Sequence, residues 1–184
     1  MKKEAYIFKS ERLGFRAWSA ADLEAFAALN ADEAVMEHFP KTLTQTEVER
    51  FIEKLNNHLT TNGFTYYATE ILATKEWIGM IGLASQQYQT AFTPAIDIGW
   101  RLKRSAWGKG YATEGAKRCL EYGFNELRIE KIIAVCTIRN RRSENVMKKI
   151  GMTKIGQFDH PAMTEYPDYE QHLCYQIRRA ENSK

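Results

Sequence analysis

One segment of the sequence has residue types and spacing that suit the binding of a phosphate group. From Trp107 to Thr113 it reads WGKGYAT, between an apolar run and a stretch with helical spacing. Glycines let the backbone approach a ligand closely, and free N–H groups at a helix start attract an anion. The segment therefore predicts a pyrophosphate cradle, to which Lys103, Arg104 and Lys109 add positive charge. The other interpretation of these residues alone is a tight turn followed by glycines that serve packing.

Two common phosphate-binding patterns do not fit this segment. A Walker loop requires GxxxxGK[ST], which does not occur in it. The dinucleotide fingerprint GxGxxG is not satisfied either, because Thr113 stands at the third glycine position and the preceding strands suggest an antiparallel meander.

Positive charge is concentrated around this segment. The 26 basic and 23 acidic residues give a formal net charge of +3, which is too small for a general nucleic-acid binder. Residues 101–118 nevertheless contain six basic residues and one acid, and residues 138–149 contain five basic residues and one acid. This clustering fits either an ordinary solvated face or a local site for a multiply anionic ligand.

The elements that position these residues can be predicted from hydrophobic periodicity and capping residues. Ser19 and the stretch from Thr44 to Glu47 predict two helix starts, the second as a capping box. The element order β-α-α-β-β-β-α-β-α-β-β predicts an α/β fold, with a twisted mixed sheet of about six or seven strands and helices on both faces. The predicted strands are residues 12–16, 64–72, 76–87, 95–103, 131–138, 152–158 and 172–178, and the later helices are 44–59, 111–127 and 143–150.

Length and composition indicate one domain over residues 1–184, with its core at about 12–178. A chain of this length, 44% hydrophobic and 27% charged, folds without a metal or disulfide. No apolar run has the length of a membrane span, and none follows residues 1–4, so we expect a cytosolic protein without a secretory signal. Cys119, Cys136 and Cys174 lack CxxC spacing and are expected to be buried reduced thiols, while four scattered histidines argue against a zinc site.

Three motifs in order give the chain a resemblance to a known family. The loop resembles the pattern WGxGYATE, residues 140–152 (NRRSENVMKKIGM) resemble NxxSxxVxxKxG[FM], and residues 96–102 (IDIGWRL) resemble EIGWxL, with Asp97 in place of Glu. These motifs are similar to those of the Gcn5-related N-acetyltransferase (GNAT) superfamily, in particular the branch with the ribosomal-protein alanine acetyltransferases. The similarity extends from about Arg12 to Ile177, with residues 158–161 and 173–175 resembling an uncharacterised bacterial subgroup.

The resemblance implies acetyl-coenzyme A as co-substrate and assigns residues to it. The loop amides would hold the pyrophosphate, and the strand at residues 98–102 would pair with the pantetheine arm. Asn140 would hydrogen-bond the pantetheine or another part of the cofactor. Arg139, Arg142 and Lys149 are candidates for the 3′-phosphate, unless they are solvated charges. Trp107 stands where the wider superfamily has Gln or Arg. The implied cofactor-binding residues are Ile98, Trp100, Leu102, Trp107, Gly108, Lys109, Gly110, Ala112, Thr113, Asn140, Ser143 and Lys149.

The resemblance also implies catalytic roles. The superfamily commonly places a carboxylate near the acetyl group on the strand that carries Asp97, which makes it the implied general base; the alternative is a structural carboxylate. A backbone amide within residues 98–102 would stabilise the oxyanion. Many members use a tyrosine to protonate the leaving thiolate, but Met147 occupies that position. Ser143 is the implied substitute, and its alternative role is to cap the helix it begins.

We therefore expect an acetyl-CoA-dependent N-acetyltransferase that acts on a primary amine by direct attack within a ternary complex. His160 and Glu165 fall in a segment that could form a wall of the acceptor pocket, and they are alternative bases. Glu114 is expected to be structural, because an acid is favoured in a first helical turn. The alternative functions are acetylation of protein N-termini and a catalytically silent CoA-binding sensor. We expect no metal, nucleic-acid or membrane partner, and a monomer or homodimer.

Overall fold

Residues 6–180, the part of the chain that the computed structural model describes, contain an eight-stranded mixed sheet with helices on both faces. The predicted α/β fold is thus confirmed, and the strand beyond the expected seven is β1, which at two residues is too short to show a periodic pattern. The expectation about residues 1–4 lies outside the described residues. The strands are β1 Phe8–Lys9, β2 Leu13–Arg16, β3 Tyr66–Ile71, β4 Trp77–Thr90, β5 Thr93–Leu102, β6 Lys131–Thr137, β7 Thr153–Asp159 and β8 Gln171–Arg178. The helices are α1 Leu23–Ala31, α2 Gln45–Asn62, α3 Tyr111–Asn125, α4 Arg141–Lys149 and α5 Pro167–Glu170.

The capping residues identified in the sequence set the start of α2 but not that of α1. Thr44 and Glu47 form the predicted capping box, in which the Thr44 hydroxyl accepts from the Glu47 N–H at 3.3 Å and the Glu47 carboxylate accepts from the Thr44 N–H at 2.8 Å. Ser19 was predicted to begin the first helix. It is the N-cap of a short 3-10 turn, Ala20–Asp22, which leads into α1, whose own N-cap is Asp22. The three cysteines are buried free thiols, as predicted. No helix within residues 6–180 is long and apolar enough to cross a membrane.

The sheet has one weak junction. Its strand order is β1-β2-β3-β4-β5-β6-β8-β7, and neighbours are antiparallel except for β5 and β6. These two parallel strands pair at one position, Asp97 with Ile133, whereas β6 pairs with β8 along Lys131–Thr137. Beyond Asp97 the strands separate, and a V-shaped opening forms at the centre of the sheet.

Two apolar layers lie on the two faces of the sheet. On one face, α1 and α2 pack on the sheet through a cluster that includes Phe26, Val48 and Met80. On the other face, α3 and α4 pack through a cluster that includes Cys119 and Met147. Side chains alternate along a strand, so consecutive residues of β5 face different layers. The α1–α2 side receives Asp97, Gly99 and Arg101, because Arg101 lies directly opposite Met80 in the β4–β5 register.

Candidate functional site

The opening between β5 and β6 is a cleft with a volume of about 970 Å³. Both motif segments contribute to its walls, together with Asp97. Of the residues predicted to bind the cofactor, Lys109 alone does not line the cleft. Those that do are Ile98, Trp100, Leu102, Trp107, Gly108, Gly110, Ala112, Thr113, Asn140, Ser143 and Lys149.

The glycine-containing loop has the conformation that an anion cradle requires. Gly108 and Gly110 have φ of +73° and +82°, in the left-handed region that favours glycine. Gly110 is the N-cap of α3, so the free N–H groups of the first helical turn follow it directly. The Trp107 indole donates to the Leu102 carbonyl at 2.8 Å and ties the loop to the end of β5. The helix start and the adjacent strand therefore form one wall of the cleft.

A long-range link holds this loop in place. The Glu114 carboxylate accepts from the Ser10 hydroxyl at 2.7 Å, the Arg12 N–H at 2.8 Å and the Arg12 Nε at 2.6 Å. Burial would raise the pKa of Glu114, but the hydrogen bonds from Ser10 and Arg12 outweigh it and lower the pKa. Arg12 also donates to the Lys109 carbonyl at 3.1 Å and stacks on the Tyr111 ring. Glu114 therefore makes the intramolecular contacts expected of a structural residue.

The second motif segment begins α4 earlier than predicted. The helix starts at Arg141, and Asn140 caps it by accepting a hydrogen bond from the Ser143 N–H at 3.0 Å. Ser143 therefore does not cap the helix, and that alternative for its role is wrong. Within residues 6–180 its hydroxyl has no hydrogen-bond partner, and Ser143 lines the cleft. The Asn140 carboxamide oxygen is engaged by α4, which leaves its NH₂ group as the donor for a ligand.

The basic residues in and next to the two motif segments fall into two groups, those that line the cleft and those that lie outside it. Arg142 and Lys149 line the cleft, and the Arg142 guanidinium lies 4.5 Å from the centre of the Trp107 ring, which joins the two motif segments. Arg139 instead pairs with Asp168 at 2.9 Å, outside the cleft. Lys103, Arg104 and Lys109 also lie outside it, and Lys103 pairs with Glu76. The charge available within the cleft therefore comes from α4 more than from the glycine loop.

The backbone of β5 presents an unpaired edge to the cleft. The Lys103 N–H donates to the Ile78 carbonyl at 2.9 Å, which orients the backbone of Lys103 toward the β4 side. Alternate residues of a strand direct their N–H and C=O groups to opposite neighbours. The backbone groups of Ile98, Trp100 and Leu102 consequently point to the β6 side. Ile98 adjoins the one bridge between β5 and β6, and the Leu102 carbonyl accepts from the Trp107 indole, so within residues 6–180 the unpaired part of this edge is the backbone of Trp100 and the Leu102 N–H.

Asp97 lies where the two strands meet. Its side chain is buried, and the Tyr66 hydroxyl donates to Asp97 Oδ1 at 2.6 Å while accepting from the Gln86 amide at 3.2 Å. Burial raises the pKa of Asp97 to about 6, and hydrogen bonds from Tyr66, Gln86 and the Ala84 backbone limit the rise. A carboxylate with this pKa is mostly ionised at pH 7 and can accept a proton.

The other candidate bases have different surroundings. Glu165 is exposed and lies outside the cleft. His160 lines the cleft, but its Nδ1 accepts from the Ala162 N–H at 3.2 Å, so its neutral form carries a hydrogen on Nε2 and presents no lone pair. His172 also lines the cleft, and its Nδ1 is 3.0 Å from the Glu170 carbonyl, which assigns the free lone pair to Nε2. Burial lowers the pKa of both histidines, which favours their neutral forms.

Tyr66 and His172 line the cleft although no motif pointed to them, and Arg101 occupies the variable position of the motif on β5. Each reaches the cleft from a strand whose apolar pattern indicates only burial. The pairing of Tyr66 with Asp97 joins residues 31 positions apart, which sequence spacing does not predict.

Comparisons with known proteins identify the family of the chain. The family model described as "Acetyltransferase (GNAT) domain" matches residues 12–153. The chain is 31% identical over 150 residues to the uncharacterized N-acetyltransferase YnaD of Bacillus subtilis, covering 81% of this chain and 84% of that protein. A GNAT-family acetyltransferase from Bacillus anthracis superimposes with a TM-score of 0.75 at 29% identity, covering 94% and 98% of the two chains. The ribosomal-protein-S5-alanine acetyltransferase of Vibrio fischeri shares the fold, with a TM-score of 0.74 at 18% identity and coverage of 95% and 97%.

Proposed function

Since the chain belongs to the acetyltransferase (GNAT) family and is an acyltransferase, we propose that it transfers the acetyl group of acetyl-CoA to a primary amine by direct attack within a ternary complex. The observation that carries this proposal is the convergence in one cleft of a helix start, an unpaired strand edge and a buried carboxylate. Acetylation of a protein N-terminus would use the same cleft and differ in the acceptor. The three reduced cysteines support a cytosolic location.

The cleft fits the chemical parts of acetyl-CoA. The amides at the start of α3 suit the pyrophosphate, and Arg142 and Lys149 suit the 3′-phosphate. The edge of β5 at Ile98, Trp100 and Leu102 suits the amides of the pantetheine arm, in the manner of an added strand. Acetyl-CoA supplies an acetyl group activated as a thioester.

Asp97 is the proposed general base. Primary alkylamines have a pKa near that of lysine, about 10.4, and must lose a proton before they can attack a carbonyl carbon. Asp97 lies on the α1–α2 side of the sheet, opposite the α3 layer, and its Oδ1 is oriented by the Tyr66 hydroxyl. The backbone N–H groups on the free edge of β5 are donors for the developing oxyanion.

Acceptor-dependent release of free thiol from acetyl-CoA tests the proposed function. We expect release with at least one primary amine in a panel of small amines, peptides and amine-bearing antibiotics, with the N-acetyl product found by mass spectrometry. A preference for peptides over small amines would favour the N-terminal alternative. Binding of acetyl-CoA without release by any acceptor would contradict the proposal and favour the sensor.

Ser143 is the proposed proton donor to the leaving thiolate. We expect Ser143→Ala to lower kcat about 10-fold or more while the Kd for acetyl-CoA changes little, because general-acid help typically contributes ~10²–10⁴-fold. Steady-state kinetics and calorimetry measure the two effects. Ser105→Ala, at an exposed serine outside the cleft, is the control. Equal loss of affinity and turnover, or no loss at all, would remove Ser143 from the proton transfer.

A further inference from the structure

Arg101 is a cation in the cleft that the proposed mechanism does not use. It lies on the α1–α2 side of β5 and lines the cleft. Its guanidinium donates to the Asn30 side-chain oxygen and lies 4.2 Å from the centre of the Phe39 ring. Within residues 6–180 no carboxylate forms a salt bridge with it, and its Nε–H is buried without a hydrogen-bond partner.

Such a guanidinium is energetically incomplete. Burial lowers the pKa of Arg101 to about 10, so it remains positively charged at neutral pH. Arg101 is partly exposed to the cleft, but its Nε–H is buried, and a buried N–H is normally bonded because leaving it unmatched costs free energy. The contacts with Asn30 and Phe39 orient the guanidinium but supply no negative charge. An anion within the cleft would supply both the missing charge and the missing acceptor.

The position of Arg101 assigns that anion to the acceptor rather than to acetyl-CoA. The proposed pyrophosphate site is at the start of α3, which packs on the opposite face of the sheet. Arg101 shares its face with Asp97, and the Tyr66 ring occupies the space over Gly99 between them, within about 3.0 Å of where a side chain would begin. The acceptor region therefore has a carboxylate base at one end and a guanidinium at the other. Four residues along a strand separate their Cα atoms by roughly 13 Å.

The charge balance of this region favours a carboxylate over a phosphate. Among the cleft-lining residues between positions 34 and 101, Arg101 is the only lysine or arginine, and Glu37 and Asp97 are acidic. Arg142 of α4 is close enough to affect the pKa of His38, but its guanidinium lies over the Trp107 ring on the side assigned to the cofactor. Burial lowers the pKa of His38, which favours the neutral form of that side chain. One guanidinium matches the single charge of a carboxylate, whereas a phosphate dianion would leave excess negative charge beside two acids.

We infer that Arg101 binds a carboxylate of the acceptor, so that the substrates are primary amines with a carboxylate several bonds from the amine. The inference rests on the proposed function, since it names the acceptor class for that reaction. Arg101 is then a specificity-determining residue. Its fixed charge attracts an amino acid with a distant amine and disfavours a diamine of the same length.

Matched acceptors test the inference. The series consists of ω-amino acids from β-alanine to ε-aminocaproate, each beside the n-alkylamine and diamine of equal length. We expect kcat/KM for the best amino acid to exceed that of its alkylamine at least ~10-fold, the scale of a hydrogen bond to a charged group. In Arg101→Gln this preference should disappear, because kcat/KM for the amino acid falls while kcat/KM for the alkylamine stays within about 2-fold. Arg101→Lys should retain part of the preference for the amino acid. Arg50→Gln, at an exposed arginine of α2, should retain the whole preference.

A binding measurement separates this inference from the proposed function. Calorimetric titration of the amino acids into CoA-saturated protein should show binding that Arg101→Gln weakens at least ~10-fold. Such binding without turnover by any amine would refute the proposed function and keep the carboxylate site. Equal use of amino acids and alkylamines by the unmodified protein would refute the inference and keep the acetyltransferase. An equal loss of kcat/KM with both acceptors in Arg101→Gln would mean that Arg101 only supports the loop at Phe39, and this result would also refute the inference.

Discussion

Replacing Gly110 with aspartate is expected to reduce the affinity for acetyl-CoA by about 100-fold or more, which corresponds to about 2.7 kcal/mol. The new side chain would stand at the start of α3 with its Cβ 3.4 Å from Arg12 Nη2, where it competes for the backbone amides and places a negative charge near the proposed pyrophosphate site. The fold should persist, because aspartate tolerates the left-handed conformation better than most residues and is a favoured N-cap. Calorimetry measures the affinity, and thermal unfolding checks the fold.

Gly63→Asp is the matched control for this variant. Gly63 has a φ of +79°, close to that of Gly110, and a side chain there would meet no atom within 4 Å. Gly63 follows α2 and does not line the cleft. The variant Gly63→Asp therefore introduces the same residue in a similar backbone conformation, at a position outside the cleft. Micromolar acetyl-CoA binding by Gly110→Asp would refute the cradle.

Asp97→Asn is expected to lower turnover of a basic amine about 100-fold or more, the usual scale of general-base catalysis. The substitution keeps the shape of the side chain and removes its basicity. In the unmodified protein the base works only when ionised, so kcat/KM should fall as the pH drops below the Asp97 pKa of about 6. That acid limb should vanish in Asp97→Asn. Turnover of an acceptor with a pKa near 8, such as a peptide α-amine, should fall less, because more of that amine is already neutral at pH 7–8.

Tyr66→Phe is the companion variant that tests the same assignment through the pH profile. The Tyr66 hydroxyl stabilises the charged form of Asp97 and so lowers its pKa. Its removal should raise that pKa, and the acid limb should therefore move to higher pH. An unchanged profile in both variants, with acetyl-CoA affinity intact, would transfer the role of base from Asp97 to His172 or to a water chain.

Local signals explain which parts of the site were predictable. The glycine loop and the strand with Asp97 are continuous segments, so residue type and spacing were sufficient to place Gly110 and Asp97 in the cleft. The start of α4 was harder, because Asn140 and Ser143 are both good N-caps three residues apart, and the structure selects Asn140.

Contacts between distant parts of the chain explain what was missed. The side chain of Arg101 meets that of Asn30, 71 positions away. The cleft wall formed by His172 depends on the β6–β8–β7 order, in which β7 lies outside β8. Neither arrangement leaves a periodic pattern in the sequence. The acceptor side of the cleft, which these residues form, was therefore the least predictable part of the site.

The link between Arg12 and Glu114 also determines when the site can form as the chain folds. The two residues are 102 positions apart, so the link requires closure of a long loop before any of its hydrogen bonds can form. Strand β2 and helix α3 must meet before Arg12 can reach Glu114 and the Lys109 carbonyl. A chain still being synthesised cannot complete the loop until α3 has been made and has docked. Binding competence is therefore acquired late, as a property of the assembled sheet rather than of the seven-residue loop.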